Sequence, residues 1–254
     1  MLITFTSAKG APGVTTTVLG TALTWPNPVM IVEADTSGSS ILPGALRGQV
    51  PYTRGIVPLV GSEITVEELK RQTIPLTRDN LTLLPGIQRP NQAPALIGAW
   101  DEITAVLKSL ESAGVDVLVD LGRSRGTDDE RAALLWGADL NILATSSRLP
   151  DIAVTAATAR QMPQEDSDLE ALTPSRLLVV GPGRPYAARD IAKQIGLPLL
   201  ESVAWDPVNA EHLSIGKPAA KRFASSSLMR SLTSVGEASR AAIARRRTTL
   251  GQEA

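Results

Sequence analysis

The sequence has 254 residues, 43% hydrophobic and 20% charged, enough for one large α/β domain with a substantial buried core. It contains no cysteine, which excludes disulfides, zinc–thiolate sites and thiol catalysis, and with aromatics at 3% its core must be built from Val, Leu, Ile and Ala. A net charge of −1 excludes a global field that would draw the chain onto nucleic acid or anionic lipid.

Short apolar runs alternate with longer helix-like segments, the pattern of a mostly parallel sheet covered by helices. Residues 2–7 are predicted as the first strand and 14–23 as the helix after it, followed by a strand over 29–33. Two short helices are expected around 55–60 and 65–71, then a strand over 81–84 and a helix over 95–113. Strands at 115–121, 140–145, 176–180 and 199–203 follow, separated by helices at 128–136, 150–161 and 187–195, with a last helix at 225–245. Residues 163–174 read as an acidic surface loop. The expectation is a single α/β domain over 1–247, three-layered, with a mostly parallel seven- to eight-stranded sheet and helices on both faces, and a short flexible tail at 248–254. The start lacks the basic stretch and apolar run of a signal peptide, and no apolar run approaches the ~18 residues needed to span a bilayer, so a cytoplasmic protein is expected.

The turn Ala8-Lys9-Gly10-Ala11-Pro12-Gly13-Val14 lies between the first strand and its helix. Glycines there allow a close backbone approach, and the helix N-terminus supplies unpaired N–H groups and a positive dipole end, a setting suited to a phosphate. Thr15 or Thr16 would then offer a hydroxyl to a magnesium ion. Asp35 follows the second strand and suits either a water-orienting carboxylate or an Asx-turn toward Ser37. Asp120 falls at the carboxyl end of an apolar strand, the edge of an open α/β sheet where ligands bind, and Asp116 at its beginning reads as a solvated cap. Arg123 and Arg125 beyond it are either solvated or contacts to phosphate or a second subunit. His212, the only histidine, reads as a surface helix residue.

Lys9-Gly10-Ala11-Pro12-Gly13-Val14-Thr15-Thr16 resembles the deviant Walker A motif of the ParA/MinD ATPases, K-G-G-x-G-K-[ST]-[ST], with Ala11 for a glycine and Val14 for the loop lysine. Glu33-Ala34-Asp35-Thr36-Ser37-Gly38-Ser39 resembles that family's D-x-D-x-x-G-[NS], and Val119-Asp120-Leu121-Gly122 its Walker B strand. Leu197-Pro198-Leu199 through Trp205-Asp206-Pro207 is similar to the strand and loop beside the adenine, although Val180-Gly181-Pro182 stands where the family has a base-reading asparagine. The resemblance implies ATP (or ADP) and Mg²⁺ as cofactors, with Lys9 through Thr16, Asp206 and Pro207 in contact with nucleotide. It also implies Thr15, Asp35 and Asp120 around the metal, and Asp35 and Lys9 in catalysis, Lys9 reaching across a nucleotide-linked homodimer.

Lys9, Thr15, Asp35 and Asp120 together imply an ATP-gated dimer switch that positions or partitions a cellular cargo through an adaptor protein. Its hydrolysis would be slow at best, because Val14 replaces the lysine. Ala11, Val14 and the missing asparagine equally imply a pseudo-ATPase scaffold or polarity factor for a pilus, secretion or division apparatus. The basic run from Arg240 to Arg247 suits non-specific DNA, and so recruitment to a nucleoid, or a solvated helix end. Its thin apolar face, without aromatics, does not suit membrane insertion, which leaves a membrane-associated complex as the other route of recruitment.

Overall fold

The run Leu2-Ile3-Thr4-Phe5-Thr6-Ser7 forms β1 (Leu2–Ser7), buried along its whole length because strands flank it on both edges and helices cover both faces. The structure, a computed structural model, describes residues 1–9, 13–61, 63–77, 80–163 and 174–251. After β1 come α1 (Val14–Leu23), β2 (Val29–Glu33), α2 (Val66–Arg71), β3 (Ile74–Pro75), β4 (Leu81–Leu84), α3 (Trp100–Ser109) and β5 (Asp116–Arg123). The second half holds α4 (Ala132–Gly137), β6 (Leu140–Ser146), α5 (Leu149–Ala159), β7 (Ser175–Val180), α6 (Ala188–Ile195), β8 (Leu199–Val203), α7 (Pro207–Ile215) and α8 (Ser227–Thr249).

The eight strands lie in the order β3-β4-β2-β5-β1-β6-β7-β8, all parallel except the two-residue edge strand β3, which runs against β4. Period-two alternation divides the apolar side chains between two cores. Met30 and Val32 of β2 and Val117 and Val119 of β5 join Leu69, Ile103, Leu134, Ile152 and Ile191 of α2 to α6. Ile3 and Phe5 of β1 and Ile31 of β2 join Val18, Leu213 and Leu232 of α1, α7 and α8. The result is the expected three layers. Chain connections leave β1 toward β2 on one side and later cross to β6 on the other, so the carboxyl end of β1 lies where the strand order reverses, the usual ligand crevice of an open α/β sheet.

Prolines reshape one predicted helix. Pro90 and Pro94 lack the N–H that an α-helix needs, so Pro90–Ala99 is 3₁₀-helical and the α-helix begins only at Trp100; Gly114, at φ 71, closes the segment. β3 was not among the predicted elements, α7 was anticipated only in the reading of His212 as a helix residue, and α8 carries on through Thr249, into the first two positions of the segment expected as a tail. Residues 164–173 of the expected acidic loop lie outside the described residues.

Asp116 is not a solvated cap. It is buried and accepts hydrogen bonds from Trp25 Nε1 and the Met1 ammonium, both at 2.8 Å. His212 sits on α7 as expected, its Nδ1 2.6 Å from the Lys217 carbonyl oxygen. The basic run at the end of α8 is partly committed inside the fold: Arg247 bonds Glu111 and Asp139, and Arg240 lies over the Trp25 ring at 5.8 Å. No helix among the described residues is long and apolar enough to cross a membrane.

Candidate functional site

Helix α1 opens in an unusual way. Its N-cap position is Gly13, at φ 80, so the turn enters the helix through a left-handed conformation that glycine adopts without a Cβ clash. No side chain caps this end, and no acidic residue lies in the first turn. Thr65, Asp206 and Ser226 each place an oxygen on a backbone N–H at the start of α2, α7 and α8, whereas α3 to α6 share with α1 the lack of a side-chain cap, so it is the left-handed Gly13 entry that sets α1 apart. Thr17 N donates to Gly13 O at 2.9 Å, which leaves the N–H groups ahead of it without a helical acceptor. They face a cleft of about 340 Å³ lined by Ser7, Gly13, Thr15, Thr16, Asp35 and Arg123, among others. A positive dipole end with spare donors beside an open cleft binds anions.

Two acids from neighbouring strand tips meet this helix end. Asp120, at the end of β5, is 1% exposed; it accepts a hydrogen bond from Gly122 N at 2.8 Å and one from the Thr15 hydroxyl. Burial pushes its carboxyl up to about 7, while the Thr15 and Gly122 bonds pull it down and the nearby Glu33 and Asp35 charges push it up. Asp35 Oδ1 accepts from Ser37 N at 2.8 Å and from the Ser37 hydroxyl, so the Asx-turn forms and the carboxylate still lines the cleft. Its other oxygen rests on Gly122, where a Cβ would come within 1.9 Å of Oδ2. That contact, with φ 57 at Gly122, explains why a glycine follows the β5 tip.

Glu33 has a different duty. It is buried and accepts from Ser40 N at 2.7 Å, Ile41 N at 2.9 Å and the Ser39 hydroxyl, tying down the loop that leaves β2. Burial raises its carboxyl despite those bonds, which marks it as a loop anchor rather than a group facing the cleft.

The donor set fits a magnesium ion carried on phosphates. Among the described residues no cluster of three His, Cys, Asp or Glu forms a protein cage. Magnesium keeps most of its six positions for water and phosphate oxygen, so a hydroxyl such as Thr15 with Asp120 behind it and Asp35 opposite suffices. The anion side fits less completely. Val14 is 6% exposed and packs with Phe5 and Val18, so an apolar side chain occupies the position where the loop lysine is expected. Lys9 does not line the cleft: its Nζ is 3.4 Å from Asp151 Oδ1 on α5. Gly10, Ala11 and Pro12 lie outside the described residues.

Asp206 and Pro207 form the start of α7. Asp206 is an N-cap, bonded to Asn209 N at 3.3 Å, Asn209 Nδ2 at 2.8 Å and Ser227 Oγ at 3.0 Å, and Pro207 is the first residue of α7. Their neighbour Trp205 instead lines a separate hollow with Ser146, Ser147, Val180, Gly181 and Arg184, the Arg184 guanidinium lying 5.9 Å from the indole centroid.

One residue went unread in the sequence. Arg131 is 2% exposed and donates to Ala34 O at 2.7 Å, Leu121 O at 2.6 Å and Arg123 O at 2.7 Å, and to both Asp129 oxygens at 2.7 Å. Burial raises the Asp129 carboxyl, but the Arg131 bonds and charge outweigh it and hold it below the usual carboxylate range. One guanidinium therefore fastens the tips of β2 and β5, which carry Asp35 and Asp120. In the run Asp128-Asp129-Glu130-Arg131 it looks like a surface charge, and nothing local marks it otherwise.

No protein-family model matches the sequence, and no curated protein matches it. Solved structures do match. A ParA family ATPase from Chlorobium tepidum superposes with a TM-score of 0.72 at 15% identity, covering 93% of this chain and 97% of that one. The cell division ATPase MinD of Pyrococcus furiosus gives 0.71 at 18% identity, covering 94% and 98%. The septum site-determining protein MinD of Pyrococcus horikoshii, complexed with Mg-ADP, gives 0.70 at 17%, covering 96% and 98%. Over nearly its whole length, this chain has the fold of the ParA/MinD ATPases.

Proposed function

We propose that this chain is a nucleotide-dependent dimer switch of the ParA/MinD kind, which binds Mg-ATP (or Mg-ADP), hydrolyses ATP slowly at most, and positions a cellular cargo through an adaptor protein. The observation that carries the reading is the uncapped N-terminus of α1, open to a cleft that Asp35 lines and where Thr15 bonds Asp120. In this reading the first turn of α1 binds the phosphates, Thr15 and Asp120 hold the magnesium, and Asp35 aligns the attacking water. Bound magnesium supplies charge neutralisation between the phosphates. Lys9, released from Asp151, would be free to reach a second subunit. The cytoplasm, with recruitment to a nucleoid or to a membrane-associated complex, is the setting this function needs.

Val14 lowers the expected strength. Losing one charge-assisted contact to phosphate costs roughly 1.5–3 kcal/mol, about tenfold to a hundredfold in affinity, which puts binding on the order of micromolar or weaker. The same buried Val14 favours a second reading, a pseudo-ATPase scaffold or polarity factor for a pilus, secretion or division apparatus that keeps the fold, binds nucleotide poorly and hydrolyses little or no ATP. Calorimetric titration with Mg-ATP separates the two. The switch requires saturable binding that Thr15→Ala or Asp120→Ala weakens at least about tenfold. An absence of heat at millimolar Mg-ATP overturns it and leaves the scaffold.

A further inference from the structure

Without a lysine at position 14, the charge on a bound phosphate needs another partner. Among the described residues that line the α1 cleft, Arg123 is the only cation. Its side chain is exposed, and among the described residues its guanidinium has neither an ion pair nor a hydrogen bond. Local backbone geometry aims it there. Phe5 pairs with Asp120 and Ser7 with Arg123, so two steps along β1 match three along β5; the extra residue is a bulge. Gly122, at φ 57, turns the strand within that bulge, so the alternation that places Val119 and Leu121 in one core does not continue to Arg123. The backbone of Arg123 is held on both sides. Ser124 N donates to Ser7 O at 3.0 Å, and Arg131 Nη2 donates to Arg123 O at 2.7 Å.

We propose that Arg123 supplies, from the tip of β5, the phosphate-facing cation that this phosphate loop lacks, with Arg131 as the positioning residue that fixes its main chain. The inference rests on the nucleotide reading above and adds the residue that makes the altered loop workable. A guanidinium suits the task because its planar fork bonds two phosphate oxygens at once, whereas an ammonium acts as a point charge. It pairs with Ser7 at the start of the loop and lines the same cleft as the first turn of α1, so a polyphosphate there would be within reach of both the α1 donors and Arg123. Most of its benefit should fall on the β- and γ-phosphates, not on the nucleoside.

The test titrates wild type, Arg123→Ala and Arg123→Lys with Mg-ATP, ADP and AMP by calorimetry, with a melting curve for each variant. Arg123 is exposed and outside both cores, so Arg123→Ala should keep the wild-type melting temperature. It should bind ATP about tenfold to a hundredfold more weakly while AMP affinity changes less than about twofold, and Arg123→Lys should recover part of the loss. Equal loss for ATP and AMP, or no loss for either, overturns the role of Arg123 while leaving the nucleotide site in place. Wild type that binds none of the three overturns the nucleotide reading and this inference with it.

Discussion

The two rims of the cleft are built on opposite principles. On one rim the tips of β2 and β5 are overdetermined: Arg131 takes three main-chain carbonyls and the Asp129 carboxylate, and Glu33 ties down the loop after β2. On the other, α1 starts from an uncapped Gly13 and leaves its first N–H groups without helical acceptors. Buried polar groups are expensive to leave unpaired, so the first rim gains rigidity and the second keeps donors available for a ligand. Under the proposed function, fixed acids beside open donors would make a preorganised cradle for anion and metal, in which the scaffold carries the ordering cost before the ligand arrives.

The comparison breaks most visibly at Arg131. Arg131→Ala leaves Asp129 without its buried partner and orphans the carbonyls of Ala34, Leu121 and Arg123. Breaking a buried pair in this way costs about 3–5 kcal/mol, which a denaturant melt reads directly. A loss under about 1 kcal/mol would mean that the locked rim is not what organises the site. No comparable loss should follow a substitution of half-buried Thr15 or Thr16 on the opposite rim.

Asp120 gives the next effect, and its sign is specific. Burial pushes its folded carboxyl up from the ordinary 3.8 to about 7, so between those values the folded state holds a proton that the unfolded chain has lost. Stability of the free protein therefore falls as pH rises from about 4 through about 7, by up to a few kcal/mol. Asp120→Asn, an amide in place of the protonated acid, should flatten that fall, although Glu33, raised in the same direction, keeps part of it. Mg-ATP binding should run the opposite way, tightening as pH rises through about 7 because the metal favours the ionised carboxylate. Identical pH–stability curves for wild type and Asp120→Asn would show that the buried acid does not titrate in this range.

What the sequence made legible was local. The β1–turn–α1 unit, the Asx-turn of Asp35 and the position of Asp120 at a strand's carboxyl end all follow from patterns within a dozen residues, and the order of such units implied the sheet. What stayed hidden was long-range or masked by a competing signal. Arg131 finds its Ala34 partner 97 positions away, a pairing no local pattern carries. β3 is two residues long, below what periodicity resolves, and α7 opens on the helix-entry pair Asp206-Pro207, which was not used to place a helix there. The helix predicted from residue 95 starts just after Pro94, and residues 95–99 fold as the end of a 3₁₀ segment instead.

The smallest effect sharpens the comparison by testing a closed helix end against the open one. The Asp206 carboxylate takes the Asn209 N–H and bonds the Asn209 and Ser227 side chains, so this helix start is partly closed by its own cap and should bind nothing there. Asp206→Ala removes an N-cap and should cost about 1 kcal/mol, or roughly 2–4 °C in melting temperature for a chain of this size. Mg-ATP affinity should stay unchanged, because a cap stabilises its own helix and does not face the cleft. An affinity drop larger than the stability loss would return Asp206 to the nucleotide, as the resemblance first implied, and would extend the site from the α1 cleft to the hollow beside Trp205. Unchanged affinity with the expected drop in melting temperature confines recognition to the uncapped helix and the acids that face it.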